Sequence, residues 1–172
     1  DEPVELTITN IDWELINECY DIEYCAWVDG YAYKGKCGIF DKFIDYWYEI
    51  KRTSSGAKKQ CAKIMLNSFY GKFGTRLSGR SKLCKYENDM LKFTLGEEEH
   101  RDGVYIPVAA FTTSYARAAL VRGVNENFYR VVYTDTDSMH LIKWDDPKGI
   151  VIDNKNDAIG TWGTESYWDG AV

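Results

Sequence analysis

The chain has 172 residues, 45% hydrophobic and 28% charged, with a formal net charge of −6. This is globular composition with room for a core. It excludes long disorder, and no apolar run approaches a membrane span or a signal peptide. The five cysteines are odd in number and contain no C-x-x-C pair, which excludes a zinc site and a disulfide framework; they read as reduced core or filler thiols of a cytosolic-type compartment.

The charge is segregated. Between Lys51 and Lys85 stand ten of the 21 basic residues and no Asp or Glu, leaving 11 basic against 27 acidic residues elsewhere. A positive stripe on an acidic body suits a polyanion; a basic solvated face is the plainer alternative.

In chain order, residues 1–38 read as strands and turns. Val4 to Thr9 alternates, Trp27 to Tyr33 is an aromatic run with an internal turn, and Asp12 to Tyr20 suits a short helix capped by Asn10 or Asp12. Phe40, Phe43, Ile44, Trp47 and Ile50 then recur at helical spacing, predicting a helix over 39–50. Arg52 to Gly56 breaks the pattern, and a second helix is expected from Ala57 to Tyr70, ended by Gly71. Two helices with a short polar link make an antiparallel hairpin. Residues 72–105 carry Gly74, Gly79, Gly96 and Gly103 and predict one or two protruding β-hairpins ending near Val104-Tyr105. A third helix is expected from about Ala109 to Gly123. Two strands, Arg130–Tyr133 and Ser138–Ile142, should flank a tight turn, Thr134–Asp137. The fold class is α+β.

That turn is the sharpest chemical signal. Asp is a poor strand residue, yet Asp135 and Asp137 sit at the tip of an apolar hairpin. A divalent cation would offset their repulsion, and magnesium takes one or two protein carboxylates plus substrate phosphates. A plain polar turn and the D-x-D of sugar-nucleotide transferases explain the turn equally well on its own. An EF-hand loop does not, since His140 stands where its Gly is needed.

The second signal lies on the second helix. At about 100° per residue, Lys59, Lys63, Asn67 and Tyr70 fall on one face. Two ammonium groups, an amide and a phenol in line suit a nucleoside triphosphate, with the cations on phosphates and the ring on sugar or base. A solvated lysine face is the bland alternative. Against it stand the missing acidic i,i+4 partners and Lys51, which a closed hairpin brings near the start of this helix.

Lys63-x-x-x-Asn67-Ser68-x-Tyr70-Gly71 resembles the fingers motif of family B DNA polymerases, and Tyr133-x-Asp135-Thr136-Asp137-Ser138 resembles their palm motif. Stretches such as Ile8–Asp12, Val28–Gly30, Phe43–Asp45, Gly56–Gln60, Leu95–Glu99 and Gly160–Ser166 are similar to protein-primed phage polymerases of the phi29 type. The resemblance covers nearly the whole chain. It implies a layout: the end of a first terminal-protein insertion region (1–38), a fingers hairpin (39–74), a second insertion β-hairpin (75–105) and a palm with the catalytic hairpin (106–172). It implies Asp135 and Asp137 as catalytic metal ligands for Mg2+, with Mn2+ as a substitute. It puts Lys51, Lys59, Lys63, Asn67 and Tyr70 on the incoming dNTP, and Ser68, Gly71, Arg117, Tyr133 and Thr136 on DNA. The implied partners are primer-template DNA, dNTP, a terminal protein primer and the remaining polymerase segments, without a membrane, in the host cytoplasm. The family's first palm motif, exonuclease carboxylates, Lys-x-Tyr motif and thumb are absent from these residues. Two-metal chemistry needs carboxylates from both sides of the palm, so this chain alone is expected not to polymerise. A D-x-D transferase and a non-catalytic DNA-binding remnant are the rival classes.

Overall fold

The computed structural model describes residues 3–100, 102, 104–142, 146–155 and 158–170. The chain divides into two compact units, one of residues 1–26 and 114–172, the other of residues 27–113. Among the described residues it has four α-helices and two antiparallel two-stranded sheets, as the α+β reading expects. No helix of these residues is long and apolar enough to cross a membrane.

The first unit is built on α1 (Asn10–Cys19) and the C-terminal part of α4 (Ile106–Glu126). The cap of α1 is Thr9, rather than Asn10 or Asp12. The Thr9 hydroxyl accepts from the Asp12 N–H at 3.1 Å, while the Asp12 carboxylate accepts from the Thr9 N–H at 3.4 Å. This capping box satisfies two donors at once, which a lone Asx cap does not. Ile11 and Leu15 on α1 and Ser114 and Ala118 on α4 are buried, and the small α4 residues allow close approach. One carboxylate clasps the pair: Asp12 accepts from the Ser114 hydroxyl at 2.6 Å and pairs with Arg117. Further along, Arg122 grips Glu18 through bonds of 2.6 and 2.9 Å.

The Asp12 side chain is 14% exposed. Desolvation raises its pKa, but hydrogen bonds from Ser114 and Thr9 and the charge of Arg117 outweigh that, so the carboxyl titrates below its ordinary 3.8. A group depressed in this way stabilises the fold above its unfolded pKa and loses that contribution as pH falls through the folded value. The stability advantage of the wild type over Asp12→Asn is therefore expected to shrink as pH is lowered below 3.8. Urea midpoints across an acid series measure this; an advantage that persists undiminished into strong acid contradicts it.

At the end of α4, Asn127 is buried and holds the following loop. Its amide donates to the carbonyls of Gly123 at 2.8 Å and Lys148 at 3.0 Å, and its oxygen accepts from the Lys148 N–H at 3.0 Å. Gly123 has no Cβ because Ile150 would stand 3.3 Å from it. The chain then forms η1 (Phe128–Arg130) and the hairpin of β3 (Val131–Asp135) and β4 (Ser138–Leu141), close to the expected strands.

The second unit contains α2 (Asp41–Thr53) and α3 (Gly56–Phe73), the expected antiparallel pair. Rings join them. Phe69 stacks on Phe43 at 4.6 Å and meets Phe40 edge-on at 4.8 Å and Phe73 at 5.6 Å. Gly71 does not end α3. The helix runs one turn further and closes at Gly74, whose N–H bonds back to the carbonyls of Gly71 and Lys72. A Cβ at Gly74 would come within 3.0 Å of Ala109, so close approach favours a glycine at this position.

A long ribbon follows, β1 (Ser78–Glu87) and β2 (Met90–His100), a single hairpin. Its two-residue turn holds Asn88 and Asp89 at φ of 53° and 57°, the left-handed pair that a tight hairpin needs and these residues tolerate. The register shifts by one residue between Arg80 and Lys82. Gly103 lies outside the described residues.

Two further expectations fail. Among the described residues of 1–38, α1 is the only element and no strand forms. Alternation prepares a strand face, but a strand needs a ladder partner, and neither Val4–Thr9 nor Trp27–Tyr33 joins a ladder among the described residues. The five cysteines are all free, but all are exposed, so none is a core thiol.

Candidate functional site

The β3–β4 hairpin presents the paired carboxylates. Asp135 pairs with Ser138, so Thr136 and Asp137 form a two-residue turn. Thr136 adopts φ of 33°, a conformation that a β-branched side chain resists. Such strain costs on the order of 1–3 kcal/mol and collects at functional sites. The Thr136 hydroxyl donates to the Asp135 carboxylate at 2.9 Å, and the Ser138 hydroxyl donates to the Asp135 carbonyl at 3.2 Å. Asp135, Thr136 and Asp137 are all exposed. Behind the tip, Tyr133 meets His140 edge-on at 5.2 Å, and His140 stacks on Trp168 at 5.0 Å. The rings stiffen the strands that carry the turn.

Among the described residues no group of three or more His, Cys, Asp or Glu could hold a metal ion. Two exposed oxygen donors are nonetheless what magnesium takes from a protein when phosphates and water complete its shell. Asp135 and Asp137 fit that role.

The cations gather in the other unit. Lys59, Lys63 and Asn67 are exposed along α3, and Tyr70 is partly exposed near its end. Ala62, fully buried on the same helix, faces the packed side. Neither Lys59 nor Lys63 has a salt bridge among the described residues. Ser68 is exposed, and a Cβ built at Gly71 would meet nothing within 4 Å. A helix-interior glycine costs roughly 1 kcal/mol against alanine, and packing within this chain does not require one here. Lys51 lies in the last turn of α2 with its ammonium 5.3 Å from the centre of the Tyr48 ring. Arg117, read from the resemblance as a DNA contact, is ion-paired with Asp12.

The expected site residues thus form two sets, one in each compact unit. Two contributors escaped the sequence reading. The Thr9-x-x-Asp12 spacing is a capping-box signature that could have found the cap of α1. Tyr48, three residues before Lys51, had the spacing of a helical neighbour. A cavity of about 390 Å³ beside α4, lined by Arg122, Gly123, Ile150 and Trp162 among others, contains none of the expected site residues.

Residues 2–156 match the family described as DNA polymerase type B, organellar and viral. The chain is 41% identical over 173 residues to the DNA polymerase of Bacillus phage Nf, covering 99% of this chain and 30% of that one. It is 37% identical over 166 residues to the DNA polymerase of Streptococcus phage Cp-1, covering 95% and 28%. Among solved structures it is similar to Phi29 DNA polymerase complexed with primer-template DNA and incoming nucleotide substrates, with a TM-score of 0.78 at 42% identity over 85% of this chain and 26% of that one. The chain belongs to the type B DNA polymerase family of organelles and viruses. It spans about 30% of the length of the phage relatives it matches, and the kinship with phi29-type polymerases read from its motifs holds.

Proposed function

We propose that this chain carries the dNTP-binding helix and one metal-binding turn of a DNA-directed DNA polymerase. The observation that carries the reading is the strained turn that holds Asp135 and Asp137 exposed in a chain of this family. The layout follows: fingers at 39–74, an insertion ribbon at 75–105 and a palm at 106–172, after the end of a first terminal-protein insertion region. A terminal protein primer and the remaining polymerase segments are the partners, in the host cytoplasm.

Lys59 and Lys63, with Lys51, neutralise the triphosphate as the primer 3′-hydroxyl, losing its proton, attacks the α-phosphate and the α–β bond breaks to release pyrophosphate. Asn67 and Tyr70 meet the sugar and the new base pair. The bare backbone at Gly71 and the Ser68 hydroxyl meet the template, Tyr133 and Thr136 the primer end, and Arg117 the DNA backbone. Asp135 and Asp137 would hold magnesium, or manganese in its place, which when bound would stabilise charge on the attacking and leaving oxygens. The basic residues Arg76, Arg80, Lys82 and Lys85 bind DNA phosphates without sequence preference. The 172 residues supply one side of a two-metal site, so the chain alone binds substrate but does not extend a primer.

Crystals soaked in Mn2+ and a dNTP test this by anomalous diffraction. Manganese on Asp135 and Asp137 with the triphosphate on Lys59 and Lys63 is expected. Manganese elsewhere rejects the site, and binding of UDP-sugars in preference to dNTP rejects the polymerase reading.

A further inference from the structure

The last turn of α2 carries two consecutive cations, and the helix treats them differently. Each finds a partner three residues back. Arg52 is held by Glu49 through bonds of 2.9, 3.1 and 3.2 Å, which neutralises its charge. Lys51 rests instead on Tyr48, its ammonium 5.3 Å from the ring centre. A ring face attracts a cation through its quadrupole but carries no net charge. The ammonium has three donors, and a ring meets only one side of it, so the others remain available to oxygen acceptors. A carboxylate at this position would pair with Lys51 and compete with phosphate.

We propose that Tyr48 is a positioning residue for Lys51, holding its ammonium oriented for the triphosphate of an incoming dNTP. This deepens the proposed function and rests on its assignment of Lys51. α2 ends at Thr53 and α3 begins at Gly56, so Lys51 and Lys59 both lie close to the link between the two helices. A lysine stem pinned on binding loses much rotamer freedom. The ring takes up part of that loss before the nucleotide arrives, which is preorganisation.

The test is dATP binding to the 172-residue chain by calorimetry, with deoxyadenosine as the probe that lacks phosphates. Tyr48→Leu is expected to weaken dATP about three-fold and leave deoxyadenosine unchanged, the size of an exposed cation–π contact. Tyr48→Phe keeps the ring and should bind as wild type. In a Lys51→Met background, Tyr48→Leu should have no effect. Helix content by circular dichroism guards against misfolding, and Tyr48→Met serves where Tyr48→Leu loses it. Unchanged or tighter dATP binding by Tyr48→Leu, or an equal loss in the Lys51→Met background, overturns the positioning role. Undiminished binding by Lys51→Met itself, or no dATP binding by the chain, overturns the Lys51 assignment, and the proposal with it.

Discussion

Replacing Asp137 by Asn is expected to reduce primer extension by roughly 10³-fold or more when this chain stands in for the matching segment of a phage polymerase. The substitution preserves size, removes the charge and exchanges one acceptor oxygen for an NH2 donor. Asn also suits a hairpin turn, so the β3–β4 register, set by Asp135 opposite Ser138, should survive. What disappears is one of two anionic oxygen donors exposed at the tip. Asp135→Asn should be nearly as severe, since it also weakens the acceptor that the Thr136 hydroxyl uses to hold the turn. Single-turnover extension with saturating Mg2+ and dNTP measures the effect. A chimera that retains more than about a tenth of its rate with Asp137→Asn would show that the metal is held elsewhere.

The second large effect concerns stability. Phe69→Ala is expected to cost about 3 kcal/mol, the lower part of the range for an aromatic truncation, because the ring is only half-buried. Phe69 is the hub of the α2–α3 packing, touching Phe40, Phe43 and Phe73. Each such pair contributes about 0.5–1.5 kcal/mol beyond its buried area. Phe69→Leu keeps the apolar volume and loses the ring geometry, and should cost about half as much. Urea denaturation followed by tryptophan fluorescence reports it, because Trp47 lies against Phe43 at 6.3 Å. Lys63, Asn67 and Tyr70 ride on the same helix, so apparent dNTP affinity should fall where the folded fraction falls. A cost below about 1 kcal/mol would mean that the rings do not hold the hairpin together.

Features that local chemistry decides were legible in the sequence. The apolar spacing of Phe40, Phe43, Ile44, Trp47 and Ile50 marked α2. The lysine stripe marked α3, and the D-x-D turn marked the exposed carboxylates. Features that need a distant partner were not. Val4–Thr9 has the alternation of a strand but no neighbour to pair with. Gly71 reads as a terminator, yet α3 runs on to Phe73 and is capped by Gly74, which lies against Ala109. The role of Asp12 depends on Ser114 and Arg117, about a hundred positions away, and no local pattern announces it. Tyr48 was within reach, because its partner is one helical turn along, but a tyrosine in an aromatic-rich helix reads as core.

The shifted register of the β1–β2 ribbon carries a consequence for how such an insertion can change. Beyond the shift, Cys84 opposes Phe93 and Tyr86 opposes Leu91; before it, Arg80 opposes Glu98. One extra residue on β2 therefore changes the parity of that strand, so that Leu91, Phe93 and Leu95 share a face with Glu98 and His100. The Asn88-Asp89 turn sets the pairing next to it, so removing a single residue from Glu97-Glu98-Glu99 would remove the bulge and leave Leu91, Phe93 and Leu95 opposite the same partners. Over generations the strand can lose one residue there at the cost of a bend, whereas the same loss between the turn and Leu95 would carry apolar side chains to the other face.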